Sequence, residues 1–138
     1  MAGALALMST ITGGKVQNPE QSRTNLFIVG LAPSGAGKDH SRRLNRRILR
    51  EAGAAEMVGP ERFGSHAGIV SALDAQWCQL FQIDEIAHLV MAMQHKSAPH
   101  LANISSILMQ VYSSVGEIFT ADAYGDRAKV KQLHYPHA

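Results

Sequence analysis

The clearest chemistry in the chain lies in eight consecutive residues, Ala32-Pro33-Ser34-Gly35-Ala36-Gly37-Lys38-Asp39, followed by His40. They overlay the phosphate-binding pattern G-x-x-x-x-G-K-[ST] at all but its two end positions. Gly35 and Gly37 would let successive backbone N–H groups converge on phosphate oxygens, and a helix opening at this point adds its positive end. Lys38 would then reach the β and γ phosphates as a point charge. Residues Pro33 to His40, with Ser34, Gly35, Ala36, Gly37, Lys38 and Asp39 between them, are therefore the candidate nucleotide-binding residues. The ordinary alternative is a glycine turn that happens to precede a lysine.

A second acidic motif agrees with the first. About 45 residues further on, the run Leu80-Phe81-Gln82-Ile83 ends in Asp84-Glu85, the apolar-strand-plus-carboxylates arrangement of a Walker B element. There Asp84 would be aimed at a magnesium shell and Glu85 would polarise an attacking water as catalytic base. Two departures from the loop pattern stand out. Ala32 replaces the first glycine, a mild change where φ is negative. Asp39 replaces the Ser or Thr whose hydroxyl reaches Mg²⁺, and so brings a carboxylate near the γ-phosphate unless it binds the metal or pairs with a cation. Arg42, three positions along, is such a cation. Nucleotide binding is thus better supported than efficient hydrolysis.

These motifs need particular elements around them. Leu26-Phe27-Ile28-Val29-Gly30-Leu31 is unbroken apolar sequence and reads as a strand buried on both faces of a parallel sheet. The helix Asp39 to Glu51 follows, stopped near Gly53, with Leu44, Ile48 and Leu49 on one side. Ser65 is placed to cap a helix running to about Leu73, whose inward face is Ile69, Val70 and Leu73. Trp77 to Ile83 reads as a second core strand. Ile86, Leu89, Val90 and Met93, and after Pro99 the set Leu101, Ile104, Leu108 and Val111, recur at helical spacing, the second helix ending at Gly116. Glu117 to Ala138, with a turn at Tyr124-Gly125-Asp126, reads as a hairpin or a loop. Alternating strands and helices predict an α/β layer architecture with right-handed crossovers.

The residues now on the page resemble the P-loop ATPases of phages, plasmids and integrated elements, the uncharacterised primase-helicase-associated domain. The similar features are Ala4-Leu5-Ala6-Leu7, Thr24-Asn25-Leu26-Phe27, Gly37-Lys38-Asp39-His40, Gly64-Ser65-His66-Ala67-Gly68 and Phe81-Gln82-Ile83-Asp84-Glu85, which together cover most of the chain. The resemblance implies a RecA-like or AAA-type P-loop NTPase, a three-layer sandwich around a parallel sheet, working on ATP with Mg²⁺ in DNA replication. In that pattern Lys38 is the phosphate lysine, Asp84 and Asp39 stand near the metal, and Glu85 is the catalytic base. It also implies a homo-oligomer or a larger replication complex. The family's next strand would begin about where the chain stops, so residues 25–138 are expected to form an incomplete core behind an N-terminal helix and linker at 1–24.

Length and charge bound the remaining readings. The chain has 138 residues, one domain at roughly 100 to 200 residues each. At 46% hydrophobic and 17% charged it is apolar enough to fold. A formal net charge of +2 does not demand a polyanionic partner. Charge placement is more suggestive: Arg42, Arg43, Arg46, Arg47 and Arg50 form a stripe that would contact DNA phosphates or simply face solvent. Cys78 is alone, which excludes an intrachain disulfide and a thiolate zinc site. The seven histidines show no H-E-x-x-H spacing. No apolar run approaches the ~20 residues of a membrane span, so a cytoplasmic protein with no membrane partner is expected. A non-catalytic module that keeps the loop but works through protein contacts is the rival reading.

Overall fold

The computed structural model describes residues 1–33, 35–94, 99–114, 118–120 and 132–134. Five α-helices dominate it: α1 (Ala2–Thr12), α2 (Lys38–Glu51), α3 (His66–Ala75), α4 (Ile86–Gln94) and α5 (Pro99–Ser113). A 3₁₀ turn, Ala55–Met57, follows α2. Two strands of three residues, β1 (Ile118–Thr120) and β2 (Gln132–His134), pair antiparallel with Phe119 opposite Leu133. Of the two readings of the C-terminal stretch, hairpin or loop, strand pairing is the one observed; the turn at 124–126 and the end of α5 at Gly116 lie outside the described residues.

The expected P-loop three-layer sandwich is therefore corrected: the chain is mostly helical, and no parallel sheet exists among the described residues. The Leu26–Leu31 run, expected as a core strand, has no regular secondary structure and is exposed, Val29 at 66% and Leu31 at 92%. The physical reason is that apolar composition brings a strand inside only when neighbours take up its N–H and C=O groups. No ladder reaches residues 24–32 among the described residues. Phe27 of the segment packs against Tyr112 of α5, ring centroids 5.4 Å apart. The second expected strand, Trp77–Ile83, forms no regular strand among the described residues but keeps bridge residues at Cys78 and Leu80, the latter paired in parallel with Val58. That bridge is made by Leu80 N–H donating to the Met57 carbonyl at 2.7 Å and Gly59 N–H to the Leu80 carbonyl at 3.0 Å.

Two apolar clusters hold the helices. Ile69, Val70 and Leu73 of α3 bury against Ile104, Ile107 and Val111 of α5 and Phe119 of β1. The α3 face is the one that helical spacing predicts, and Ser65 does cap the helix, its hydroxyl accepting from Gly68 N–H at 3.2 Å. The second cluster joins Leu7 of α1, Leu49 of α2 and Leu80. Of the α2 residues expected inside, Leu49 is buried while Leu44 and Ile48 stay largely exposed. In their place Asn45 is buried, and its Nδ2 donates to the Gly3 carbonyl at 2.8 Å, tying α1 to α2. Gly14, in the left-handed region at φ 67, passes so near the Trp77 ring that a Cβ would lie 2.4 Å from it. This contact leads the chain out of α1.

Candidate functional site

The glycine-rich segment keeps the turn its residues call for. Ala36 N–H donates to the Pro33 carbonyl at 3.3 Å, and Gly35 occupies the third position of that turn at φ 79. Gly37 follows at φ 75 as the N-cap of α2, and no side chain caps that end. Space is open around both glycines: a Cβ added to either would meet nothing within 4 Å. Lys38 and Asp39 open the helix, and His40 N–H donates to the Gly37 carbonyl at 3.0 Å. Ser34 lies outside the described residues. The turn thus lies beside the positive end of a 14-residue helix, although the segment before it has no regular secondary structure.

The second acidic motif folds back onto this helix end. Arg42 Nη1 lies 2.7 Å from Asp84 Oδ2 and 3.3 Å from Asp39 Oδ1, so one guanidinium nitrogen gathers two of the predicted site carboxylates. Its Nη2 is 3.6 Å from Glu61 Oε2, and Arg46 forms a further ion pair with Glu61. The Arg42 side chain is only 17% exposed. The hydrogen bond from Arg42 holds the Asp84 carboxyl below its usual range, against the opposing effect of desolvation. The charge of Arg42, the Glu85 N–H and the charge of Lys38 act in the same direction as that bond. The Glu85 N–H donates to Asp84 Oδ1 at 2.9 Å, leaving Oδ2 for the arginine.

Lys38, Asp39 and Asp84 are brought to one end of α2; Glu85 is not joined to them. It has a left-handed backbone at φ 51 and an exposed carboxylate 3.6 Å from His88 Nε2. Asp39 meets the requirement that it pair with a cation, through Arg42. The arginine stripe divides: Arg42 and Arg46 turn into acidic partners, while Arg43, Arg47 and Arg50 face solvent. Sequence reasoning missed Glu61. Its place comes from the 59–64 connection, whose position beside α2 no local spacing announces.

The donor set suits a small, hard cation only together with a polyphosphate. Among the described residues no group of three or more His, Cys, Asp and Glu side chains is placed to hold a metal. Asp39 and Asp84 do converge on a single point, now taken by a guanidinium, and Mg²⁺ is commonly held by one or two carboxylates plus phosphate oxygens and water. Asp39 and Asp84 are the residues that would hold such an ion beside phosphate oxygens. Among the described residues no helix is long and apolar enough to cross a membrane. No family model matches the chain, and neither a curated protein nor a solved structure matches it.

Proposed function

We propose that the chain binds the triphosphate of a nucleotide at the turn before α2, with ATP and Mg²⁺ as ligands, as the nucleotide-binding module of a replication ATPase of a mobile element. The observation that carries this reading is the meeting of two motifs far apart in sequence: Asp84 reaches the first turns of the helix that Gly37 and Lys38 open. Open space over Gly35 and Gly37 supports it. Lys38 and the uncapped N–H groups of α2 would bind the phosphates, and Asp39 and Asp84 would hold the ion. Bound Mg²⁺ would neutralise charge on the β and γ oxygens. Adenine is favoured over guanine because the chain carries no N-K-x-D sequence. The placement in replication rests on the family resemblance alone.

Calorimetric titration with Mg·ATP tests the reading. Lys38→Ala is expected to abolish measurable binding, and equal affinity in the two proteins would remove the assignment. Hydrolysis requires Glu85 to leave His88 and turn toward the phosphates, so Glu85→Gln should bind ATP normally and lose turnover. A second reading has its own support: the exposed Leu26–Leu31 run favours a module that works by contact with a second copy of the chain. Under that reading Val29→Asp abolishes self-association seen by light scattering and leaves ATP titrations silent in both proteins.

A further inference from the structure

Arg42 stands one turn after Lys38 on α2, so the two side chains leave the same face of the helix. Its guanidinium is held by three carboxylates from three places in the chain, those of Asp39, Glu61 and Asp84. With Arg46, which also pairs with Glu61, two guanidinium groups share three carboxylates beside the turn read as a phosphate site. This arrangement also leaves a donor unused: Arg42 Nε is buried with no hydrogen-bond partner among the described residues. A buried donor in that state costs free energy until an acceptor reaches it. Phosphate oxygens suit the planar fork of a guanidinium, which can bind them through parallel N–H groups.

We propose that Arg42 is a two-position residue of the nucleotide site, clamped by Asp39, Glu61 and Asp84 in the phosphate-free protein and turned onto the phosphates when a nucleoside triphosphate binds. The transfer releases Asp39 and Asp84 from their ion pairs at the moment the ligand arrives. This rests on the nucleotide reading above and adds its regulation: affinity is set by how firmly the carboxylates keep the arginine. Glu61 is then a brake on binding, acting through Arg42 rather than by touching the ligand.

Calorimetric titration with ATP in excess EDTA, which takes metal out of the comparison, tests this on wild type, Arg42→Met, Glu61→Gln and the double variant. Arg42→Met is expected to weaken binding about tenfold, the loss of one charge-assisted contact. Glu61→Gln is expected to tighten it about threefold or more, and to have no effect in the Arg42→Met background. An equal gain in both backgrounds would mean plain relief of repulsion or an action through Arg46, and would overturn the proposal. Wild-type affinity in Arg42→Met would overturn it as well. Failure of the underlying reading looks different, because wild type and Lys38→Ala would then bind ATP equally or not at all. If circular dichroism shows that Arg42→Met does not fold, Arg42→Lys replaces it. A single ammonium keeps the charge without bridging three carboxylates, so the Glu61→Gln gain must shrink in that background.

Discussion

The same chemical change made at two leucines tests whether burial or apolar sequence decides what holds this chain together. Leu73 is 1% exposed, packed between α3 and α5, whereas Leu31 is 92% exposed just before the glycine turn. Truncating a buried leucine to alanine removes its transfer free energy and leaves a cavity, a cost of about 2–5 kcal/mol. Leu31→Ala removes surface already in water and should stay within about 0.5 kcal/mol of wild type. For a chain of this size, each kcal/mol corresponds to about 4 °C in the melting midpoint. Leu73→Ala should therefore melt roughly 8–20 °C lower and Leu31→Ala within about 2 °C of wild type. Urea titration followed by far-UV circular dichroism gives the free energies directly, with unchanged slope confirming that the unfolded reference is the same. If Leu31→Ala costs as much as Leu73→Ala, the 26–31 run is a core strand after all, and the correction to the sheet architecture falls.

Three more outcomes follow from particular contacts. The Cys78 thiol, buried and 3.1 Å from the Thr10 carbonyl, is pushed up from 9.0 to about 11 by burial, partly offset by Lys15. Native Cys78 should thus react with iodoacetamide at pH 8 far more slowly than in urea. The unfolded thiol ionises first, so this group makes stability fall as pH rises between 9.0 and about 11. Cys78→Ser should lose that part of the alkaline limb in denaturation midpoints measured across the interval. Ser65→Ala removes the cap on Gly68 N–H and should cost about 1 kcal/mol in urea titrations, whereas Ser65→Asp, which keeps an acceptor there, should restore most of it. Replacing Arg43, Arg47 and Arg50 together by alanine should weaken any binding to duplex DNA and flatten its salt dependence by about three counterions. A fluorescence anisotropy titration at several salt concentrations reads both, and unchanged slopes would assign those arginines to solvent alone.

Local patterns are legible at Ser65 and along α3, where neighbours along the chain supply the reason, whereas the same kind of spacing on α2 misplaces Leu44 and Ile48. Ser65 before His66, and the apolar spacing of Ile69, Val70 and Leu73, specify a capped amphipathic helix because the N–H to be capped and the face to be buried both lie within a few residues. The turn expected at the glycine-rich loop is observed, with Gly35 and Gly37 in the left-handed region that glycine takes cheaply. The pairing of Asp39 with Arg42 is an i, i+3 contact on one helix and was equally readable.

What no stretch of residues could announce was which strands find partners and which charges meet across the chain. Leu26–Leu31 has the composition of a buried strand, yet burial needs hydrogen-bonding neighbours from elsewhere, and the described residues supply none. Asp84 and Glu85 look alike as adjacent carboxylates. The turn between them sends Asp84 to Arg42 and leaves Glu85 beside His88. Glu61, unremarkable in a glycine-proline connection, becomes a holder of two arginines once that connection lies against α2. Residue types state what each group can do, because that is set by covalent chemistry. Which groups act together depends on distances closed by packing among segments tens of residues apart.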